Sequence, residues 1–164
     1  MPSFRALAGE RVEVVLQRGE AALLAGLPRQ ILELVESGEG RVHDRLFPPA
    51  YLDPTEEDAE AEWQRLMHQD LVRAKVDALE GLAVSLEDAS ASTDERVVLE
   101  LDAEETAAWL GALNDLRLAL GVMLEVTEDL DVSRIDPADP RAPGLHLYGF
   151  LTWIQGDLIE ALNP

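Results

Sequence analysis

No cysteine occurs anywhere in these 164 residues, which removes disulfide staples, thiolate metal sites, a thiol nucleophile and any thiol-based redox switch from what the chain can do by itself. Positive charge is scarce. Against 33 Asp and Glu stand 13 Lys and Arg, a formal net charge of -20, so attachment to a nucleic-acid backbone or an anionic membrane through a basic surface is disfavoured. Twelve of the 13 bases are Arg and only Lys75 is Lys, a bias that carries no functional reading. No stretch reaches the roughly 20 apolar residues of a membrane span, and the opening Met1-Pro2-Ser3-Phe4-Arg5 has neither a signal-peptide nor a lipidation pattern. A cytoplasmic protein is the expectation. Apolar residues make up 47% of the chain, too many for a disordered acidic tail, and the length suits one globular domain over 1–164.

Chemical motifs are also missing. His43, His68 and His146 stand in separate segments, without the spacing that sets two ligands on one helical face. Asp129-Leu130-Asp131-Val132-Ser133 begins like a calcium loop, but Arg134 stands where the turn needs Gly and Pro140 where a bidentate Glu is required. There is no Gly-rich phosphate loop and no nucleophile elbow. No catalytic residue, metal ligand or cofactor is expected.

What is present is periodicity. Val12, Val14 and Leu16 alternate with their neighbours and predict a strand over 11–17; Val97, Leu99 and Leu101 predict a second over 96–101. Each runs straight into a helix-forming segment, over about 19–37 and about 103–126, and a shift of 85 residues lays Glu20 and Ala22 onto Glu105 and Ala107. The first helix is expected as two short pieces or one kinked piece, because Gly26 and Pro28 interrupt it. Residues 39–54 read as a Gly- and Pro-rich connection with an apolar knot, Leu46-Phe47-Pro48-Pro49-Ala50-Tyr51-Leu52. The longest helix, about 56–88, carries Trp63, Met67, Leu71, Ala74, Ala78 and Leu82 on one stripe. After an acidic loop over 127–143, a last helix over about 145–162 lines up Leu147, Leu151, Ile154, Leu158 and Leu162. The expected fold is mainly α, a bundle of about five helices with a small two-stranded sheet.

Two polar features stand out. Asn114, Asp115 and Arg117 interrupt the otherwise apolar helix 103–126, and Arg117 is the sole base between Arg96 and Arg134. A guanidinium there needs an acid or a carbonyl to offset its desolvation, so a structural cluster with Arg117 paired to a neighbouring helix is expected. The alternative is a ligand-binding Arg117 in a pocket. The second feature is Glu56, Glu57, Asp58, Glu60 and Glu62 at the start of the long helix, either a solvated turn favoured by the helix dipole or a docking surface for a basic protein.

The stretch Ala108-Trp109-Leu110-Gly111-Ala112-Leu113-Asn114-Asp115-Leu116-Arg117-Leu118-Ala119-Leu120-Gly121 resembles an actinobacterial family of proteins of unknown function, whose named member is the oxidative-stress response regulator AosR. Further segments follow in the family's order, among them Glu20 to Leu24, Leu46 to Tyr51, Glu62 to Leu66 and Tyr148 to Gln155. The resemblance implies a cytoplasmic regulator without assigned enzymatic activity, associated with sigma-factor-dependent transcription under oxidative stress. The named member's redox proposal relies on paired cysteines, so direct thiol sensing does not carry over to this chain. The expected function is therefore a non-enzymatic regulatory or protein-interaction protein with a basic partner such as a sigma factor. Two other readings stand beside it: a small-molecule-binding protein or enzyme with a pocket around Arg117, and a structural homo-oligomer such as a homodimer.

Overall fold

Central in a three-stranded antiparallel sheet of order β1-β2-β3 lies β2 (Arg11–Gln17), between β1 (Ser3–Leu7) and β3 (Arg96–Leu101), in a computed structural model that describes residues 1–48 and 58–163. Val12 pairs with Leu101 and Val14 with Leu99 on one side, and Phe4 with Val14 on the other. The alternation in β2 does what it predicts: Val12, Val14 and Leu16 are buried on one face. The sheet has one strand more than expected. β1 is a short edge strand whose Ser3, Arg5 and Ala6 face solvent, so it lacks a half-buried period. It is folded back by a turn in which Gly9 and Glu10 both take positive φ, 75° and 59°.

Among the described residues five helices accompany the sheet, of which α1, α4 and α5 pack on it: α1 (Arg18–Glu36), α2 (Arg41–Leu46), α3 (Asp58–Ser90), α4 (Ala103–Met123) and α5 (Ala142–Leu162). α1 is a single element with Pro28 inside it. α2 lies in what reads as a plain connection, and its Val42 and Leu46, with Phe47 just after, are buried. Pro49 to Leu52 of the apolar knot lie outside the described residues. α4 stops at Met123, short of the expected 126. α5 starts at Ala142, where Pro143 fits the first turn because its missing N–H would have no intrahelical partner. A 3-10 turn, Val132–Arg134, breaks the acidic loop, and hydrogen bonds from Arg141 hold the Asp139 carboxyl below its usual range.

α4 is the hub, as its all-round apolar sequence requires, and it packs against α1, α2, α3 and α5. Its Leu113, Leu116 and Ala119 are buried with Leu151, Ile154 and Leu158 of α5 and Leu79, Leu82 and Leu86 of α3 in one cluster. Leu162, placed on the same stripe by sequence, is 39% exposed at the chain end. α1 lies along the C-terminal half of α3, where the Arg29 Nε donates to Glu87 Oε1 at 2.8 Å and holds that carboxylate below its usual range. Among the described residues no helix is long and apolar enough to cross a membrane.

Both strand-to-helix junctions close in the same way. The Asp102 N–H donates to Glu105 Oε2 at 2.9 Å while Asp102 Oδ1 accepts from the Glu105 N–H at 2.8 Å, and 85 residues earlier the Gln17 N–H donates to Glu20 Oε2 at 2.9 Å. These reciprocal bonds satisfy amides that a helix start leaves open. Asp102→Ala is expected to cost about 1 kcal/mol, read by urea denaturation; a loss below about 0.3 kcal/mol would show that α4 is held by packing alone.

Candidate functional site

α3 changes character along its length. From Leu79 onward it buries Leu79, Leu82, Ala83, Leu86 and Ala89, but earlier its large apolar residues stand in solvent: Trp63 is 55% exposed, Leu66 49%, Met67 48% and Leu71 46%. The stripe read from sequence is real as a helical face and splits in function. At 100° per residue, Trp63, Met67, Leu71, Ala74 and Ala78 lie some 80–160° away from Leu79, which points into the core. The result is an apolar ridge one helix wide, running into a small cleft of about 110 Å³ lined by Ala78, Gly81, Leu101 and Trp109.

Acids flank the ridge. Asp58, Glu62, Asp70, Asp77 and Glu80 are exposed, against Arg65 and Arg73, and Arg65 is ion-paired with Glu62 one turn away. Of the five acids singled out by sequence, Glu56 and Glu57 lie outside the described residues, and Glu60 is placed only as part of the α3 backbone. Asp58 and Glu62 are solvated. The signal that sequence reading missed is the exposed ridge of Trp63, Leu66, Met67 and Leu71, because a periodic apolar stripe reads equally well as core.

The polar cluster of α4 fans out. The Asn114 Oδ1 accepts from Gln155 Nε2 of α5 at 3.1 Å. Asp115, 4% exposed, accepts two bonds from Lys75 Nζ of α3, at 2.8 and 3.1 Å. The same Nζ lies 5.9 Å from the centre of the Phe47 ring. Among the described residues Arg117 pairs with no acid and its buried Nε has no acceptor, while its guanidinium carbon lies 6.0 Å from the Tyr148 ring centre. The expected ion pair exists, but it belongs to Asp115 and the sole Lys. Two positions apart on a helix means about 200°, so Asp115 and Arg117 face different neighbours.

Arg117 instead opens onto a pocket of about 290 Å³ with Arg41 and Arg45 of α2, Glu125 and Tyr148. The histidines are partly brought together, His43 and His68 lying with ring centres 6.4 Å apart beside Phe47, while His146 is exposed on α5. Among the described residues no cluster of His, Asp and Glu could hold a metal ion.

The protein is mainly helical, with an exposed apolar ridge on α3 and an arginine-lined pocket between α2 and α4. The chain belongs to the family described as Domain of unknown function (DUF2017), whose model matches residues 1–162. It is similar to a Mycobacterium leprae protein provisionally named an oxidative stress regulator AosR, 39% identical over 87 residues, which are 53% of this chain and 39% of that one. It is also similar to the oxidative stress regulators AosR of Mycobacterium bovis and Mycobacterium tuberculosis, each 42% identical over 64 residues, 39% of this chain and 29% of theirs. The matched stretches thus span less than two-fifths of these relatives. No solved structure matches the chain.

Proposed function

We propose that this chain is a non-enzymatic regulatory protein that acts by docking a protein partner on the N-terminal half of α3. The observation that carries the reading is the half-exposed row Trp63, Leu66, Met67 and Leu71; large aromatic and flexible apolar side chains of this kind anchor interfaces. The partner it suits presents an apolar helix face flanked by basic residues, since Asp58, Glu62, Asp70 and Asp77 border the row. A sigma factor is the partner that the family resemblance implies. The relatives' names as oxidative stress regulators support a regulatory role. A second copy of this chain is a poorer occupant, because a chain of net charge -20 would meet its own acids.

The test is quantitative affinity capture, followed by titration of each captured protein against purified chain. Trp63→Ser with Met67→Ser and Leu71→Ser is expected to weaken the true partner by roughly 100-fold or more, since anchor residues contribute about 2 kcal/mol each. Replacing Glu56, Glu57, Asp58, Glu60 and Glu62 with Gln is expected mainly to slow association and to flatten its salt dependence. Equal recovery of the same proteins by wild type and the ridge variant would sink the proposal.

A further inference from the structure

We propose that Arg41, Arg45 and Arg117 form a binding site for the phosphate group of a small phosphorylated molecule. The site does not depend on the docking surface, which belongs to α3. Three of the chain's 13 bases converge on one pocket of about 290 Å³ in a molecule whose net charge is -20. Like charges gathered against the overall excess of acid need a reason, and ion pairing does not supply it. Among the described residues Arg117 and Arg45 have no carboxylate partner, and Arg41 reaches Glu125 only at 3.6 Å with both side chains more than 70% exposed.

Arg117 is the stronger part of the argument. Arg117 lines the pocket while its Nε is buried without an acceptor among the described residues, so the donors of its guanidinium are not used up inside the protein. Its stem is packed in α4 and its guanidinium is steadied by the Tyr148 ring at 6.0 Å. Gly121 makes that arrangement possible: a Cβ there would stand 3.3 Å from the Tyr148 ring. The two α2 arginines are set by packing. Val42 and Leu46 of α2 are buried, and Arg41 and Arg45, one turn apart on the same helix, line the pocket.

The chemistry selects the ligand class. A guanidinium offers a planar fork of donors that matches phosphate or carboxylate oxygens. Three guanidiniums with one carboxylate, Glu125, leave an excess of two positive charges, the charge a phosphate monoester approaches near neutral pH at about -1.5 to -2. A monocarboxylate would leave half of that excess unmet. The volume lies at the lower end for small-molecule pockets, roughly 300–1,000 Å³, which fits a compact ester whose apolar part rests on Val122 and Val126.

The experiment follows the arginine side-chain NMR signals while inorganic phosphate, phenyl phosphate or benzoate is added at constant ionic strength. Saturable shifts of the Arg117 Nε signal are expected with both phosphates, and benzoate is expected to bind roughly tenfold more weakly or less well still. Arg117→Gln and Arg45→Gln should each weaken phenyl phosphate by roughly tenfold, while Arg134→Gln, at a side chain 85% exposed on the acidic loop, should leave it unchanged. Arg45 is exposed, so its variant tests the site even if Arg117→Gln perturbs α4. Shifts that grow linearly without saturating, equal affinity for benzoate, or unchanged affinity in Arg45→Gln would each overturn the proposal.

Discussion

Lys75→Met is expected to destabilise the fold by about 3 kcal/mol, because it leaves the Asp115 carboxylate, 4% exposed, without the cation that donates to both its oxygens. For a chain of this length that corresponds to a fall in melting temperature of roughly 6–12 °C. The Lys side chain is itself 23% exposed, so its own removal costs little solvation; the cost lies in the acid left behind. The control separates pair from packing: adding Asp115→Leu should restore most of the loss, since a buried ion pair replaced by apolar groups of similar volume is often neutral or better. Urea denaturation of the single and double variants measures both effects. A single-variant cost under about 1 kcal/mol would mean that water already reaches Asp115, and that α3 and α4 are joined by hydrophobic contact alone.

This pair also marks the limit of reading charge along one chain. The sequence showed that α4 carries ionic groups in an apolar setting, and a buried pair duly occurs there. Which group is paired depends on which helix lies at which azimuth, and that follows from how α3 and α2 cross α4. Nothing in the spacing of Asn114, Asp115 and Arg117 contains this. Lys75, one base among 13 and 40 residues away, carried no local sign of its partner. β2 and β3 were legible because they rest on periods within a few residues. β1 and α2 were not. An edge strand of five residues and a helix of six lack the length for a period to show; β1 pairs with β2 directly after it, and α2 packs on α4, remote in sequence. The ridge was hidden differently: amphipathic spacing reports that a helix face is apolar, and says nothing about whether the same chain covers it.

The two halves of α3 should therefore respond oppositely to the same kind of change. Leu82, 1% exposed, sits in the cluster shared with α4 and α5, and Leu82→Ala is expected to cost about 3 kcal/mol in lost contact and residual cavity. Trp63, a larger side chain in the same helix but 55% exposed, should cost less than about 0.5 kcal/mol when changed to Ser. Backbone hydrogen exchange provides the second reading. Helical segments with little tertiary packing are marginal in water and open locally at low free energy, so amides of residues 62–74, which among the described residues contribute only Val72 and His68 to the packing, should exchange much faster than those of 79–90. Binding of the docking partner should slow the first set and leave the second unchanged, because the partner would supply the contacts that the fold does not. Strong protection of 62–74 in the isolated chain would mean that the ridge is already covered, and Trp63→Ser would then cost stability and not partner affinity.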